Sequence, residues 1–210
     1  MALDAPPTGA TIIRTLAAGL ATAIVLAAVP APAAAPSAVR AGVYELDKDH
    51  AKIIWGISHF GFSTYYGEFT DFDARLSLDP RLPARSRLSV TIRTASVDTN
   101  NPALDTHLKS GDFFDVARYP IATFTSTRIV PAGAHTARVT GNFTLHGVTK
   151  PITLTVNLNK AGIRSIDKAY VAGFGAEGTI SRSAFGIDKY AGALGDEVKL
   201  IITGEFHPVK

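Results

Sequence analysis

Beyond about residue 40 the chain alternates apolar and polar positions in one short run after another. In 72–78, Phe72, Ala74, Leu76 and Leu78 alternate with Asp73, Arg75 and Ser77. In 87–93, Leu88, Val90 and Ile92 alternate with Arg87, Ser89, Thr91 and Arg93. In 198–206, Val198, Leu200, Ile202 and Phe206 share a side, with Lys199, Thr203 and Glu205 opposite. A period of two sends successive side chains to opposite faces of a strand, so each run predicts a strand with one apolar and one wet face. Gly, Pro and Asp punctuate the runs, and many such strands joined by turns predict an antiparallel barrel or sandwich.

The stretch TLHGVTKPITLT (144–155) carries a histidine and a lysine, yet it reads as a hairpin. Val139, Gly141, Phe143 and Leu145 face one way, with Thr140, Asn142, Thr144 and His146 opposite. On the returning strand Ile152, Leu154, Val156 and Leu158 face in, and Thr153, Thr155 and Asn157 face out. Gly147 supplies the permissive corner and Pro151 stands near the start of the returning strand, which puts His146 on the outer face. One segment breaks the strand pattern. In NPALDTHLKSGDFF (101–114), Asn101 as N-cap, Pro102 at the first helical position, Leu104 and Leu108 four apart, and Gly111 as terminator predict a short helix. Phe113 and Phe114 would plug it onto the sheet.

GFGAEG (173–178) is a literal G-x-G-x-x-G, but a dinucleotide site needs a helix N-terminus directly after it. The next residues, TISRSAFGI, have no helical stripe. Ala172, Phe174, Ala176 and Ile180 share a strand face instead, and the small residues would ease curvature or leave space inside a barrel.

The first forty residues have a different character. Arg14 precedes the apolar stretch 15–29, and Ala31-Pro32-Ala33 supplies small residues at a cleavage site, so 1–33 is expected to be a Sec-type secretory signal peptide, with an uncleaved membrane anchor as the alternative. Residues 34–42 are then a linker and 43–210 one domain, with no second boundary and no repeat. Formal net charge is +3, and 1–33 contributes one Arg and one Asp, so removing it leaves that balance. The basic residues are scattered and mark no nucleic-acid face. Absence of cysteine excludes a thiol nucleophile, a Cys-ligated zinc and a redox CxxC, and an exported fold must hold without disulfides.

The six histidines form neither HxH nor HExxH, and there is no G-x-S-x-G, so no metal ligands and no catalytic residues are assigned. The carboxylate pairs Asp47/Asp49 and Asp71/Asp73 read as ordinary surface charge. The apolar side is richer, with Trp55, Ile57, Phe60, Phe62, Phe69, Phe72, Phe124, Phe143, Phe174 and Phe206 in one small β-domain. Two readings fit these rings: a core filled by its own side chains, or a barrel wide enough to hold a ligand.

Four phrases in order and spacing resemble one family: YELDKDHAKIIWGISHFGFSTYYGEF (44–69), SVDTNNPALDTHLKSGDFFDVARYPIATF (96–124), VTGNFTLHGVTKPITLTV (139–156) and RSAFGI (182–187). The chain is similar to the YceI-like, or polyisoprenoid-binding, proteins over about 43–207. RSAFG departs from the commoner RSDFG, and Asn142-Phe143 from a shorter x-Leu. The resemblance implies an all-β, eight-stranded antiparallel, lipocalin-like barrel with one short helix. It also implies export to the periplasm and a lumen that takes an isoprenoid chain, as a polyprenyl phosphate or an isoprenoid quinone, with no required cofactor and no catalytic residues.

On that reading the lumen wall comprises Trp55, Ile57, Phe69, Phe72, Phe124, Phe143, Leu145, Leu154, Phe174, Leu200 and Ile202. His59, His107 and Arg182 are candidates for a headgroup at the mouth. The expected partners are an isoprenoid lipid and, transiently, a membrane, but no nucleic acid. Two alternatives stand beside it: an enzyme acting on a lipophilic substrate through His59, His107, His146 or Arg182, and a module whose barrel is filled by its own side chains.

Overall fold

The computed structural model describes residues 39–209, so the expected signal peptide and most of the expected linker lie outside the described residues. In chain order the elements are β1 (Gly42–His59), β2 (Ser63–Phe69), β3 (Phe72–Leu78), β4 (Arg87–Arg93), β5 (Val97–Asp98), the helix α1 (Pro102–Lys109), β6 (Ile121–Pro131), β7 (Thr136–Leu145), β8 (Val148–Ile163), β9 (Tyr170–Ser181) and β10 (Glu197–Pro208). β2 and β3 lie end to end along β1, Phe69 opposite Ile53 and Arg75 opposite Glu45, so together they form one ribbon. β4 and β5 pair with β3 and β2 in turn and make the next ribbon, interrupted by a 3-10 turn at Thr94–Ser96.

Every ribbon is antiparallel to its chain neighbours, and β10 returns to pair with β1. The described residues thus form a closed eight-stranded up-and-down barrel with one α-helix. The alternation read from sequence is the alternation seen: Phe72, Ala74 and Leu76 are buried, whereas Asp73, Arg75 and Ser77 are exposed.

Closure along β1 and β10 contains an irregularity. Asp47 pairs with Glu205 and Ala51 with Gly204, so Lys48, Asp49 and His50 bulge out of β1. Such bulges bend a strand and increase its twist. This one is clamped from outside. One Asp47 carboxylate oxygen accepts from His50 Nδ1 at 2.9 Å, from His207 Nε2 at 3.0 Å and from the Arg164 guanidinium at 3.4 Å. Arg164 also bonds Glu205 at 2.9 Å and grips Asp167. The clamp therefore ties the bulge, the β8–β9 turn and β10 together. The carboxylates read in sequence as surface charge, Asp47 among them, have this partner set only because three distant segments meet.

Inward glycines shape the interior. A Cβ at Gly67 would lie 2.2 Å from the Trp55 ring, at Gly141 2.4 Å from the Phe124 ring and 2.6 Å from the Thr125 carbonyl, and at Gly178 2.6 Å from a Leu154 methyl. Large side chains lie flat against bare backbone at these points. The small residues of 172–178 divide in role: Ala176 borders the lumen, whereas Leu154 occupies the room at Gly178 and Ala172 is fully buried.

The helix follows its signals. The Asn101 side chain accepts from the Leu104 amide at 3.3 Å, and Pro102 begins the helix. Ser110 rather than Gly111 ends it, its amide donating to the His107 carbonyl at 3.1 Å. Phe113 is buried and Phe114 meets Phe69 edge-on at 5.4 Å, which seats the segment on the sheet. At the opposite end, where β1 begins, Tyr44, Ala74, Leu76, Tyr170, Ala172 and Phe206 form a second cluster. Tyr44 donates to the Arg40 carbonyl at 2.6 Å, and burial together with nearby Tyr170 pushes its phenol up to about 12.

At Asp47, burial opposes ionisation, but the hydrogen bonds from His207, His50 and Arg164 outweigh it and hold the carboxyl at about 2, below the ordinary 3.8. A depressed folded-state pKa stabilises the fold above the unfolded value and stops doing so as pH falls through the folded one. Asp47→Asn is therefore expected to lower stability by up to about 2 kcal/mol at neutral pH. Urea titrations of both proteins should show that gap constant above about pH 4 and closing towards pH 2.

Candidate functional site

The barrel encloses a cavity of about 830 Å3. Its wall is built from the inward positions of every ribbon, which is why it is apolar: the same alternation that makes a strand amphipathic points one face of all eight at a common axis. Trp55, Ile57, Phe69, Phe72, Phe124, Phe143, Leu145, Leu154, Phe174, Leu200 and Ile202 all border it, joined by Ile53, Leu88, Val90, Ile92, Val139, Val156 and Val198. The interior is thus a hollow with large rings on its wall, and a barrel wholly filled by its own side chains is not what these residues form. A volume of this size lies within the range of small-molecule sites, roughly 300–1,000 Å3.

Trp55 carries a buried polar atom within the apolar wall. Its indole is 8 % exposed, and Nε1 is buried with no hydrogen-bond acceptor among the described residues. An unsatisfied buried donor costs about 1–3 kcal/mol and calls for an explanation. Sequence reasoning placed Trp55 on the wall but did not foresee the orphan, because satisfaction depends on what the folded neighbours offer. The neighbour opposite is Gly67, which has no side chain to offer.

The three residues expected to meet a headgroup border the same end of the cavity and differ in availability. Arg182 is only 5 % exposed, and its guanidinium donates to the carbonyls of Gly195, Ile187, Lys189 and Leu194. It clamps the segment after β9 across the barrel end, and four backbone acceptors occupy donors that a headgroup would need. Beside it, hydrogen bonds from the Ser181 hydroxyl and the Ser183 amide hold the Asp196 carboxyl low.

His107, on α1, sits 3.2 Å from Asp112 and edge-on to Phe113 at 5.1 Å. Hydrogen bonds from Lys189 and then His107 keep Asp112 below the usual carboxylate range. His59 is exposed at the end of β1, against Phe60 at 4.6 Å. His59, His107 and Lys189 are thus the cationic or titratable groups near this mouth that keep some solvent access.

His146 differs from its expected place on the outer face. It forms the β7–β8 corner with Gly147, both at positive φ (52° and 75°). Its ring packs on Tyr119 at 4.6 Å, and its Nδ1 lies 3.2 Å from the Phe185 carbonyl. The physical reason is the corner itself, which rotates the side chain out of the strand alternation and against the Ser183–Phe185 turn. Only the permissive role of Gly147 was legible beforehand.

Asp47, His50 and Glu205 bring ligand-type atoms within 4.8 Å of one another, a grouping that spacing along the chain did not suggest. Arg164 already neutralises both carboxylates, and the group lies on the bulged β1–β10 seam rather than in the lumen wall. Its geometry is that of a clamp.

A closed antiparallel barrel around an apolar hollow defines the class of small barrels that enclose a guest. Within that class the chain belongs to the YceI-like family, whose domain matches residues 44–206. It is 43% identical over 170 residues to Protein YceI of Salmonella arizonae, covering 79% of this chain and 86% of that one. The crystal structure of Burkholderia cenocepacia BcnA superposes with a TM-score of 0.70 at 27% identity, covering 76% of this chain and 98% of that one. A polyisoprenoid binding domain from Saccharophagus degradans, implicated in plant cell wall breakdown, shares the fold with a TM-score of 0.61 at 14% identity, covering 81% and 100%.

Replacing Arg182 with Gln should leave several carbonyls of 187–195 without donors and cost about 3 kcal/mol or more. Hydrogen exchange is the discriminating measurement: amides of 183–196 should exchange faster in the variant, while those of β6 and β7 change little.

Proposed function

We propose that this protein holds an isoprenoid chain in the barrel lumen as a carrier, store or scavenger in the periplasm, reached through the expected signal peptide at 1–33. The observation that carries the proposal is the continuous apolar cavity of about 830 Å3 walled by Trp55, Phe69, Phe72, Phe124, Phe143 and Phe174. An isoprenoid tail offers no hydrogen bonds, so its affinity comes from apolar area removed from water, about 25 cal/mol per Å2 before the cost of ordering a flexible chain. Membership of the YceI-like family and the polyisoprenoid-binding description of the Saccharophagus degradans domain support the same reading.

Within that class we favour an isoprenoid quinone over a polyprenyl phosphate as the fully buried guest. A phosphate is an anion, and burying it would require a paired cation. Arg182, the guanidinium nearest the lumen, is spent on backbone carbonyls. We read the protein as a binding protein rather than an enzyme, in keeping with its membership of the YceI-like family and with the engagement of Arg182 by backbone carbonyls. No cofactor enters this reading.

Native mass spectrometry of protein released from the periplasm should reveal a co-purified isoprenoid. Leu154→Lys, which puts a charge into the lumen wall, should abolish uptake of added ubiquinone, whereas Thr155→Lys on the outer face should leave it intact. Repeated recovery of empty protein that takes up no added quinone would sink the reading.

A further inference from the structure

The corner between β1 and β2 breaks the rule that such corners obey. The Phe62 amide donates to the His59 carbonyl at 3.0 Å, and Phe60 and Gly61 carry φ of 52° and 77°. Two consecutive left-handed residues at a hairpin corner call for Asn-Gly or Asp-Gly, because a Cβ crowds the backbone there and short polar side chains suffer least. A phenylalanine in the first position is a poor choice for the fold. The β7–β8 corner uses the same pair of angles with His146 and Gly147, but His146 gains Tyr119 and the Phe185 carbonyl in return. Phe60 packs edge-on against its own neighbour His59 and borders the lumen, yet it remains 45% exposed, and Phe62 beyond it is 91% exposed. A local rule broken at a corner that holds rings in solvent points to a partner outside the fold.

The surroundings specify that partner. The tip GISHFGFSTYYG (56–67) contains no Asp, Glu, Lys or Arg, so it presents rings, hydroxyls and His59 rather than charge. Tyr66, on the outer side of β2, is 54% exposed. Phe60 and Tyr190, 45% and 49% exposed, also border the lumen, so exposed rings stand where the cavity wall meets solvent. Aromatic side chains flanked by hydroxyls suit the boundary between headgroups and acyl chains of a bilayer. Continuity with an apolar lumen gives the tip a reason to be there.

We infer that the β1–β2 tip, through Phe60 and Phe62, docks this protein on a lipid bilayer and forms the lip past which the apolar guest moves between bilayer and lumen. The cargo in this picture rests on the isoprenoid-binding reading, but the docking itself does not.

The test uses two routes of delivery. Vesicles of phosphatidylethanolamine and phosphatidylglycerol, with or without ubiquinone, are sedimented with the protein, and quinone is offered in parallel from ethanol. Phe62→Ser should lower both vesicle-bound protein and quinone extracted from vesicles by about tenfold or more, the effect of removing one interfacial ring. Its uptake from ethanol should be unchanged. Phe60→Asn should also weaken vesicle binding while keeping or raising thermal stability, because Asn suits the corner, so loss of binding cannot be assigned to unfolding.

Extraction from vesicles at the wild-type rate by the Phe62→Ser variant would overturn the inference. So would vesicle binding that vanishes in high salt and ignores both substitutions, since that is charge adsorption elsewhere. A wild-type dimer without vesicles that Phe62→Ser splits would assign the tip to a second copy of the chain instead. If the wild type sediments with empty vesicles but takes up no quinone by either route, docking stands and the isoprenoid reading falls.

Discussion

An antiparallel sheet of eight ribbons has two edges unless its first and last strands meet. Here β1 and β10 pair from Tyr44–Pro208 to Ile57–Val198. Closure removes the unpaired edges that would template aggregation, and it turns the apolar faces of all ribbons toward one axis. The lumen, its lining and its two ends are consequences of that seam. The seam is also where the pairing is least regular, which explains why the polar clamp of Asp47, His50, His207, Arg164 and Glu205 is built there and not elsewhere on the surface. Three donors converging on one carboxylate oxygen hold a bulge that would otherwise let the closing strands slip.

The hollow depends on a second balance, between large rings and missing side chains. Trp55 lies over Gly67 and Phe124 over Gly141, so the rings hug the wall instead of crossing the axis. Had those glycines carried a Cβ, the rings would have to move toward the centre, where they would occupy the space now empty. The same geometry has a polar consequence. Gly67 brings no side-chain acceptor to the Trp55 indole, whose Nε1 stays buried without a partner among the described residues.

The end of the barrel bordered by α1 contains both rigid and open parts. Arg182 spends its charge on four carbonyls and fixes the segment after β9 as a wall. The β1–β2 tip does the reverse, presenting the exposed rings of Phe60, Phe62 and Tyr66. Two residues that sequence reading grouped together, Arg182 and His59, thus divide into a structural clamp and part of an exposed lip.

Strand alternation, the hairpin around Gly147, the capped helix and the family phrases were all present in the residue order, because each rests on local spacing of side-chain types. The lumen wall was legible for the same reason: a period of two assigns every strand residue to a face, and closure then sends one face inward. What only the tertiary structure decided depends on which distant residues meet. Asp47 becomes a clamp because His207, Arg164 and Glu205 arrive from β10 and the β8–β9 turn. Arg182 becomes structural because the 187–195 segment folds its carbonyls onto it. His146 turns against Tyr119 because the corner takes it out of the strand alternation. Residue type alone also left a filled core and a hollow barrel equally open. Ring positions relative to Gly67 and Gly141 decided for the hollow, since whether a ring lies along a wall or across an axis depends on the backbone it finds opposite.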